Sequence, residues 1–108
     1  DMANLIDANN KNFEELVLKS KVPVLVDFWA EWCSSCKALT PKLETLAASL
    51  QGQATIVKVN AEDCPEIASK YMVRGLPSLL FFKGGEVKNS LFGVHSIDAI
   101  KAALTHLM

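Results

Sequence analysis

Short apolar runs recur along the chain at positions that predict β-strands. Residues 22–29 and 54–59 are rich in β-branched or aromatic side chains and nearly continuous in their apolarity. This pattern is typical of strands that are covered on both faces of a sheet. Two further apolar runs, residues 78–82 and 87–92, are separated by Lys-Gly-Gly-Glu. That spacing predicts an antiparallel hairpin.

Other segments show the three- and four-residue spacing of amphipathic helices. In residues 33–50 the apolar side chains that follow this spacing are Leu39, Leu43, Leu46, Ala47 and Leu50. We expect Pro41 to kink this helix because proline lacks a backbone N–H. A last helix is predicted after Ser96, which can cap it, with an apolar stripe formed by Ile97, Ile100, Leu104 and Leu107.

Two shorter helices complete the prediction. Residues 10–18 resemble a helix that Asn10 or Asn12 could cap, and a second helix opens at Cys64 with Pro65 in its first turn. The element order is then βαβαβαββα, with a weak first strand. Helical crossovers favour parallel pairing and the hairpin adds antiparallel strands. We therefore predict an α/β protein with a central mixed sheet and helices on both faces, forming one domain over residues 1–108.

Charge and hydropathy exclude several classes of function. The 11 basic and 12 acidic residues are scattered and leave a net charge of -1, so nucleic acid is not an expected partner. No apolar stretch approaches the roughly 20 residues that span a bilayer, so we expect no membrane segment. The chain begins without a basic and apolar leader. We expect a cytoplasmic location, or export if a leader has been removed.

Cysteine usage points to reactive thiols. Three cysteines make an odd count, and two of them, Cys33 and Cys36, are only three positions apart. This is not the dispersed pattern of a disulfide scaffold. The pair stands where a central strand ends and a helix begins, and the free amides at a helix start stabilise a thiolate. We expect Cys33 to be the nucleophile and Cys36, one turn later, to resolve the mixed disulfide.

Two alternatives stay open at this point. A zinc site usually needs about four ligands, and the remaining candidates, Cys64, His95 and His106, show no matching spacing. We therefore expect no bound cofactor or metal, but a metal or iron–sulfur site shared across a dimer remains one alternative. A non-catalytic module that binds partner proteins is the other.

Three segments carry a resemblance to a known family. Val26-Asp-Phe-Trp-Ala-Glu-Trp-Cys-Ser-Ser-Cys-Lys37 closely resembles the active-site segment of thioredoxins. Val73-Arg-Gly-Leu-Pro-Ser78 resembles the family's loop with a cis-proline, and Phe81-Phe-Lys-Gly-Gly-Glu-Val87 resembles the following hairpin. The resemblance implies the thioredoxin fold and a monomeric thiol–disulfide oxidoreductase. Its expected partners are protein disulfides and a thioredoxin reductase that donates electrons.

The resemblance also implies roles for residues outside the cysteine pair. Asp27 would be the buried carboxylate that exchanges a proton with Cys36, and Lys58 would lie near it. Burial in an apolar strand raises the pKa of a carboxylate toward the range useful for acid–base catalysis. Pro77 would be cis, with the Leu76 backbone free to pair with substrate. A shallow apolar groove around the sulfurs would be lined by Trp32, Gly75, Gly93 and Val94.

The chain departs from the family between its cysteines, where thioredoxins usually carry Gly-Pro. Here the residues are Ser34 and Ser35. Unlike proline, Ser35 keeps a backbone N–H, which we expect near the Cys33 sulfur, and it adds a hydroxyl. Donors that stabilise the thiolate make the disulfide a stronger oxidant. We therefore expect a weaker reductant than a thioredoxin with Gly-Pro.

The remaining conspicuous side chains receive no chemical role. We assign Phe28 and Trp29 to the core because their strand is so apolar. His95 and His106 are expected to be solvated, since neither has a partner evident in the sequence. Cys64 is interpreted as a small buried residue, although its place at a helix start could in principle lower its pKa.

Overall fold

A single mixed β-sheet organises the computed structural model, which describes residues 5–108. Its strands are β1 (Leu5–Ala8), β2 (Val24–Trp29), β3 (Thr55–Asn60), β4 (Ser78–Lys83) and β5 (Glu86–Phe92). Their order across the sheet is β1-β3-β2-β4-β5. β3 runs parallel to both β1 and β2, whereas β4 is antiparallel to β2 and to β5. The predicted mixed sheet and hairpin are confirmed.

Three α-helices follow the predicted segments closely. They are α1 (Ser34–Ser49), α2 (Pro65–Lys70) and α3 (Ile97–Thr105). α1 continues through Pro41. The hydroxyl of Ser96 accepts a hydrogen bond from the N–H of Ala99 at 3.1 Å, so the predicted cap of α3 is present. In the part of the chain described, no helix combines the length and the apolarity needed to cross a bilayer.

The predicted first helix is wrong in length and in its cap. Only a π-helical turn, Glu14–Leu18, forms in this region. Its N-cap residue, Phe13, makes no side-chain capping hydrogen bond. Upstream, Asn9 Oδ1 accepts from the N–H groups of Lys11 at 2.8 Å and Asn12 at 3.1 Å, and Asn12 Oδ1 accepts from the N–H of Asn9 at 2.7 Å. Asparagine side chains that bond to nearby backbone groups compete with helix formation. This competition accounts for the late start of the helical turn.

Helical elements cover both faces of the sheet, as predicted. The π-helical turn and α2 contribute buried residues to one face, namely Val17, Ile67 and Ala68. α1 and α3 pack on the other face through Leu43, Leu46, Ala47, Ile100 and Leu104. β2 lies between β3 and β4, and its carboxyl end leads directly into α1. Crevices at such strand ends are where open α/β sheets usually hold their sites.

Candidate active site

Cys33 and Cys36 occupy the first turn of α1 and form a disulfide, with Cα atoms 5.3 Å apart. Cys33 is the N-cap residue of α1, and its extended backbone lets the side chain turn back over the helix start. The Cys33 sulfur is 3.2 Å from the N–H of Cys36, which donates to it. Cys33 is 5% exposed and Cys36 is completely buried, so Cys33 is the more accessible residue of the pair.

The donor to the Cys33 sulfur differs from the one predicted from the sequence. Within the described chain, the backbone hydrogen bond comes from Cys36 and not from Ser35. Ser35 and Cys36 are the second and third helical residues, the two positions from which an N-cap side chain accepts, and here the bond comes from the third. Ser35 contributes its hydroxyl instead, with Oγ 3.5 Å from the sulfur. Both contacts favour a thiolate at Cys33 when the disulfide is reduced.

Asp27 is buried in the middle of β2. Strand alternation places its side chain on the same face as Leu25, the face covered by α1. Neither carboxylate oxygen receives a hydrogen bond from a described residue. Desolvation therefore raises the pKa of Asp27 from 3.8 to about 7, against the opposing attraction of Lys58. Such a group exchanges protons near neutral pH.

Lys58 is the charged neighbour of Asp27 in the sheet, since the two residues are paired across β2 and β3. Its ammonium group lies 3.8 Å from Asp7 and 4.8 Å from the centre of the Trp29 ring. Trp29 is only partly buried, so its assignment to the core is wrong, whereas Phe28 is completely buried as predicted. Asp7 was missed because only the strand register brings it beside Lys58.

The loop before β4 carries the predicted cis-proline. The Leu76–Pro77 peptide bond is cis, and the carbonyl oxygen of Pro77 accepts from the N–H of Gly93 at 2.9 Å. Among the described residues, no backbone hydrogen bond uses the N–H or C=O of Leu76. A Cβ atom at Gly75 would lie 2.5 Å from the Phe92 ring, so only glycine fits beneath that ring as it stands.

Exposed apolar side chains flank this loop. Trp32 is 66% and Val94 is 81% exposed, consistent with their predicted place on an open surface. Met72 and Phe92 are exposed to a similar degree, but sequence analysis did not select them. Their apolar neighbours in sequence, Tyr71, Val73 and Leu91, are partly buried, so nothing in the sequence pattern distinguished Met72 and Phe92 from residues that pack against the core.

The indole of Trp32 is held by a residue that the sequence analysis also missed. Its Nε1–H donates to Glu62 Oε2 at 2.7 Å. Trp32 and Glu62 line a shallow hollow of about 450 Å³, which reaches Gly75 and Leu76 on its far side. The two partners are 30 positions apart, and no local pattern links them.

Cys64, His95 and His106 are placed as the sequence analysis predicted. Cys64 is a free thiol that is 3% exposed, and burial raises its pKa. It therefore lacks the thiolate character of a regulatory cysteine. His95 and His106 are both exposed. Within residues 5–108, no three His, Cys, Asp or Glu side chains cluster closely enough to hold a metal ion.

A cysteine pair at the start of a helix, at the end of the central strand of a mixed sheet, defines a thiol–disulfide oxidoreductase site. Comparison with known proteins agrees with this class. The thioredoxin family model matches residues 4–106. The chain belongs to the thioredoxin family.

Individual relatives are similar over most of the chain. It is 46% identical over 94 residues to the thioredoxin of Rickettsia bellii, covering 87% of this chain and 90% of that protein. It is 47% identical over 85 residues to thioredoxin C-2 of Corynebacterium nephridii, covering 79% of each. With the chloroplastic M-type thioredoxin of Spinacia oleracea it shares 45% identity over 87 residues, which cover 81% of this chain and 48% of that protein. Members of this family act on protein disulfides and are generally reduced by thioredoxin reductase.

Proposed function

We propose that the protein reduces disulfides in other proteins through Cys33 and Cys36. The Cys33 thiolate attacks one sulfur of the substrate disulfide, a mixed disulfide forms, and the other substrate sulfur leaves as a thiolate with the bonding electron pair. Cys36 then loses its proton and attacks the Cys33 sulfur. The substrate leaves as a dithiol, and the Cys33–Cys36 disulfide is restored. A thioredoxin reductase returns the two electrons.

The observation that carries this proposal is the difference in burial between the two cysteines, together with the hydrogen bond to the Cys33 sulfur. Cys33 is slightly exposed at the N-cap of α1, where the backbone N–H of Cys36 would stabilise its anion. Cys36 is completely buried and can meet only a sulfur already attached to Cys33. This arrangement separates attack from resolution.

Asp27 is proposed to accept the proton that Cys36 loses during resolution. Its position on the face covered by α1, together with a pKa raised to about 7, supports this role. Lys58 is proposed to tune the proton affinity of Asp27 through its positive charge, which opposes the rise in pKa.

Docking is proposed at the loop that contains the cis-proline. The free backbone groups of Leu76 would pair with an extended segment of the substrate, and Pro77 would face the sulfurs. The apolar rim of this surface would be formed by Trp32, Gly75, Gly93 and Val94. We propose a monomer that acts in the cytoplasm, where a reducing environment keeps thiols available.

Trapping experiments test the cysteine roles. Cys36→Ser should accumulate a mixed disulfide with a protein substrate on Cys33, whereas Cys33→Ser should capture no substrate. Cys64→Ser is the matched control and should turn over like the wild type, because Cys64 is a buried free thiol outside the Cys33–Cys36 disulfide. Mass spectrometry of the trapped species locates the bond. Substrate attached to Cys36 in the Cys33→Ser protein would reverse the assignment.

A turnover assay distinguishes catalysis from the two alternatives. Wild-type protein with NADPH, thioredoxin reductase and a protein disulfide should consume NADPH over many cycles. Stoichiometric binding without NADPH consumption would instead support a non-catalytic binding module. Metal analysis and gel filtration of protein purified under reducing conditions test a metal or iron–sulfur site shared across a dimer.

A further inference from the structure

A small hollow lies beside the cysteine pair on its α1 side. One wall comes from α1 and includes Ser35 and Lys42, and the opposite wall includes Pro77, Val94 and His95. Its volume is about 100 Å³. We call this hollow the α1 subsite. It is separate from the larger hollow next to Trp32, with which it shares no lining residue.

The α1 subsite has a distinct electrostatic character. Lys42 lines it and no carboxylate does. Among residues 5–108, no carboxylate oxygen lies within 4 Å of the Lys42 ammonium group, whereas Lys37 on the same helix pairs with Glu31 at 3.7 Å. The hollow next to Trp32 instead contains charges of both signs, Glu62 and Arg74. The α1 subsite therefore presents an uncompensated positive charge.

The α1 subsite also adjoins the reacting sulfur. Ser35, which lines it, has its hydroxyl 3.5 Å from the Cys33 sulfur, and Pro77 forms part of the opposite wall. The Nε2 atom of His95 lies 3.1 Å from the carbonyl oxygen of Phe92, which anchors the ring at the edge of the hollow. A side chain held there would belong to a substrate residue close to the cysteine under attack.

We infer that the α1 subsite binds the carboxylate of an aspartate or glutamate that neighbours the reacting cysteine of a protein substrate. Lys42 supplies the attraction and the Ser35 hydroxyl can donate a hydrogen bond, while Val94 and Pro77 contact the methylene groups. This inference rests on the proposed reduction of protein disulfides and adds a preference among substrates. An exposed ion pair changes the rate constant by only a few-fold, so the subsite selects among substrates without being required for catalysis.

The test compares peptide disulfides that differ at one residue. Glutamate, glutamine or lysine is placed in turn at each of the two positions before and after the attacked cysteine. For each peptide, kcat/KM is measured with the wild type, Lys42→Glu, Lys42→Gln and Lys21→Glu. Lys21 is exposed and precedes β2, at the opposite end of the sheet, so it gives the same change in net charge as a matched control. The ratio of kcat/KM for the glutamate peptide to that for the glutamine peptide is compared between variants, because this comparison cancels any effect of glutamate on the peptide's own thiols.

At one of these positions we expect the glutamate peptide to react about three-fold faster than the glutamine peptide with the wild type. Lys21→Glu should keep that ratio, Lys42→Glu should abolish or invert it, and Lys42→Gln should bring it close to one. Equal glutamate-to-glutamine ratios in all of these proteins would overturn the proposed subsite. Reduction of the glutamine peptide would still establish the reductase activity. Failure of the wild type to reduce even the glutamine peptide would overturn the proposed function, and the subsite with it.

Discussion

Lys58 lies directly across from Asp27 on the neighbouring parallel strand, yet its described ion pair is with Asp7, at 3.8 Å. The ammonium group also contacts the Trp29 ring. Asp27 is therefore influenced by a positive charge without forming a salt bridge to it. Desolvation outweighs this attraction and raises the pKa of Asp27 to about 7.

The raised pKa predicts that Asp27 makes stability fall as pH rises. Below about pH 4 the group is protonated in both the folded and the unfolded protein. Between about pH 4 and pH 7 the unfolded chain releases the proton and the folded protein keeps it, so the free energy of unfolding decreases. Above about pH 7 the carboxylate is ionised in both states, and the full cost of burying its charge lowers the free energy of unfolding. The difference between a pKa of 3.8 and one of about 7 makes this cost roughly 4 kcal/mol.

Asp27→Ala should therefore remove this decrease in stability. Urea unfolding between pH 4 and pH 9 measures the free energy of unfolding. The oxidised protein is used because Cys33 and Cys36 do not titrate while they form a disulfide. The cavity left by the substitution adds a cost that is nearly independent of pH, so the change in slope is the quantity to compare. Asp63→Ala, at an exposed carboxylate, should keep the wild-type dependence. A parallel profile for Asp27→Ala would mean that burial does not raise this pKa.

The same substitution should slow resolution more than attack, because the proton in question belongs to Cys36. Single-turnover stopped flow follows formation and decay of the mixed disulfide. General acid–base assistance contributes typically 10²- to 10⁴-fold, so a loss of at least about ten-fold in the decay step is expected near pH 7. Formation should change by less than about two-fold. Equal slowing of both steps would contradict the role proposed for Asp27.

Ser35→Ala should make the protein a stronger reductant. In the reduced state the Ser35 hydroxyl can donate to the Cys33 thiolate, and its loss destabilises that state by about 1 kcal/mol. For a two-electron couple, this corresponds to a potential more negative by about 20 mV. Equilibration with glutathione buffers measures the shift. Ser34→Ala is the control, since Ser34 makes no described contact with the sulfur, and an equal shift in both variants would exclude the hydroxyl contact as the cause.

Glu62→Ala should weaken substrate docking by releasing the Trp32 indole. The hydrogen bond spans 2.7 Å between two exposed side chains, so its loss is worth about 1 kcal/mol and raises KM by up to about five-fold with little change in kcat. Faster depolarisation of tryptophan fluorescence would accompany this change. Asp63→Ala removes the adjacent carboxylate and should alter neither quantity. A fall in kcat at constant KM would show that Glu62 acts on the chemistry and not on docking.

Much of the fold could be predicted from local patterns. The strands β2, β3 and β4 and the helices α1 and α3 were predicted correctly, because burial gives each type of element a characteristic pattern of apolar residues. The first helix was predicted too long, since the pattern gave no weight to the asparagine side chains that compete for the backbone around Asn9. Only tertiary packing could show that Trp29 is half-buried beneath the Lys58 ammonium group.

By itself, the sequence determined the cysteine pair, its place at a helix start, and Asp27 as an ionisable residue inside an apolar strand. These features are local, because reactivity at a helix N-terminus and burial within a strand depend on neighbours in the chain. The tertiary structure alone decided that Asp7 pairs with Lys58, that Glu62 holds Trp32 and that Lys42 faces Pro77 across the α1 subsite. Those partners are distant in sequence, and strand register and helix packing bring them together only after the sheet has assembled.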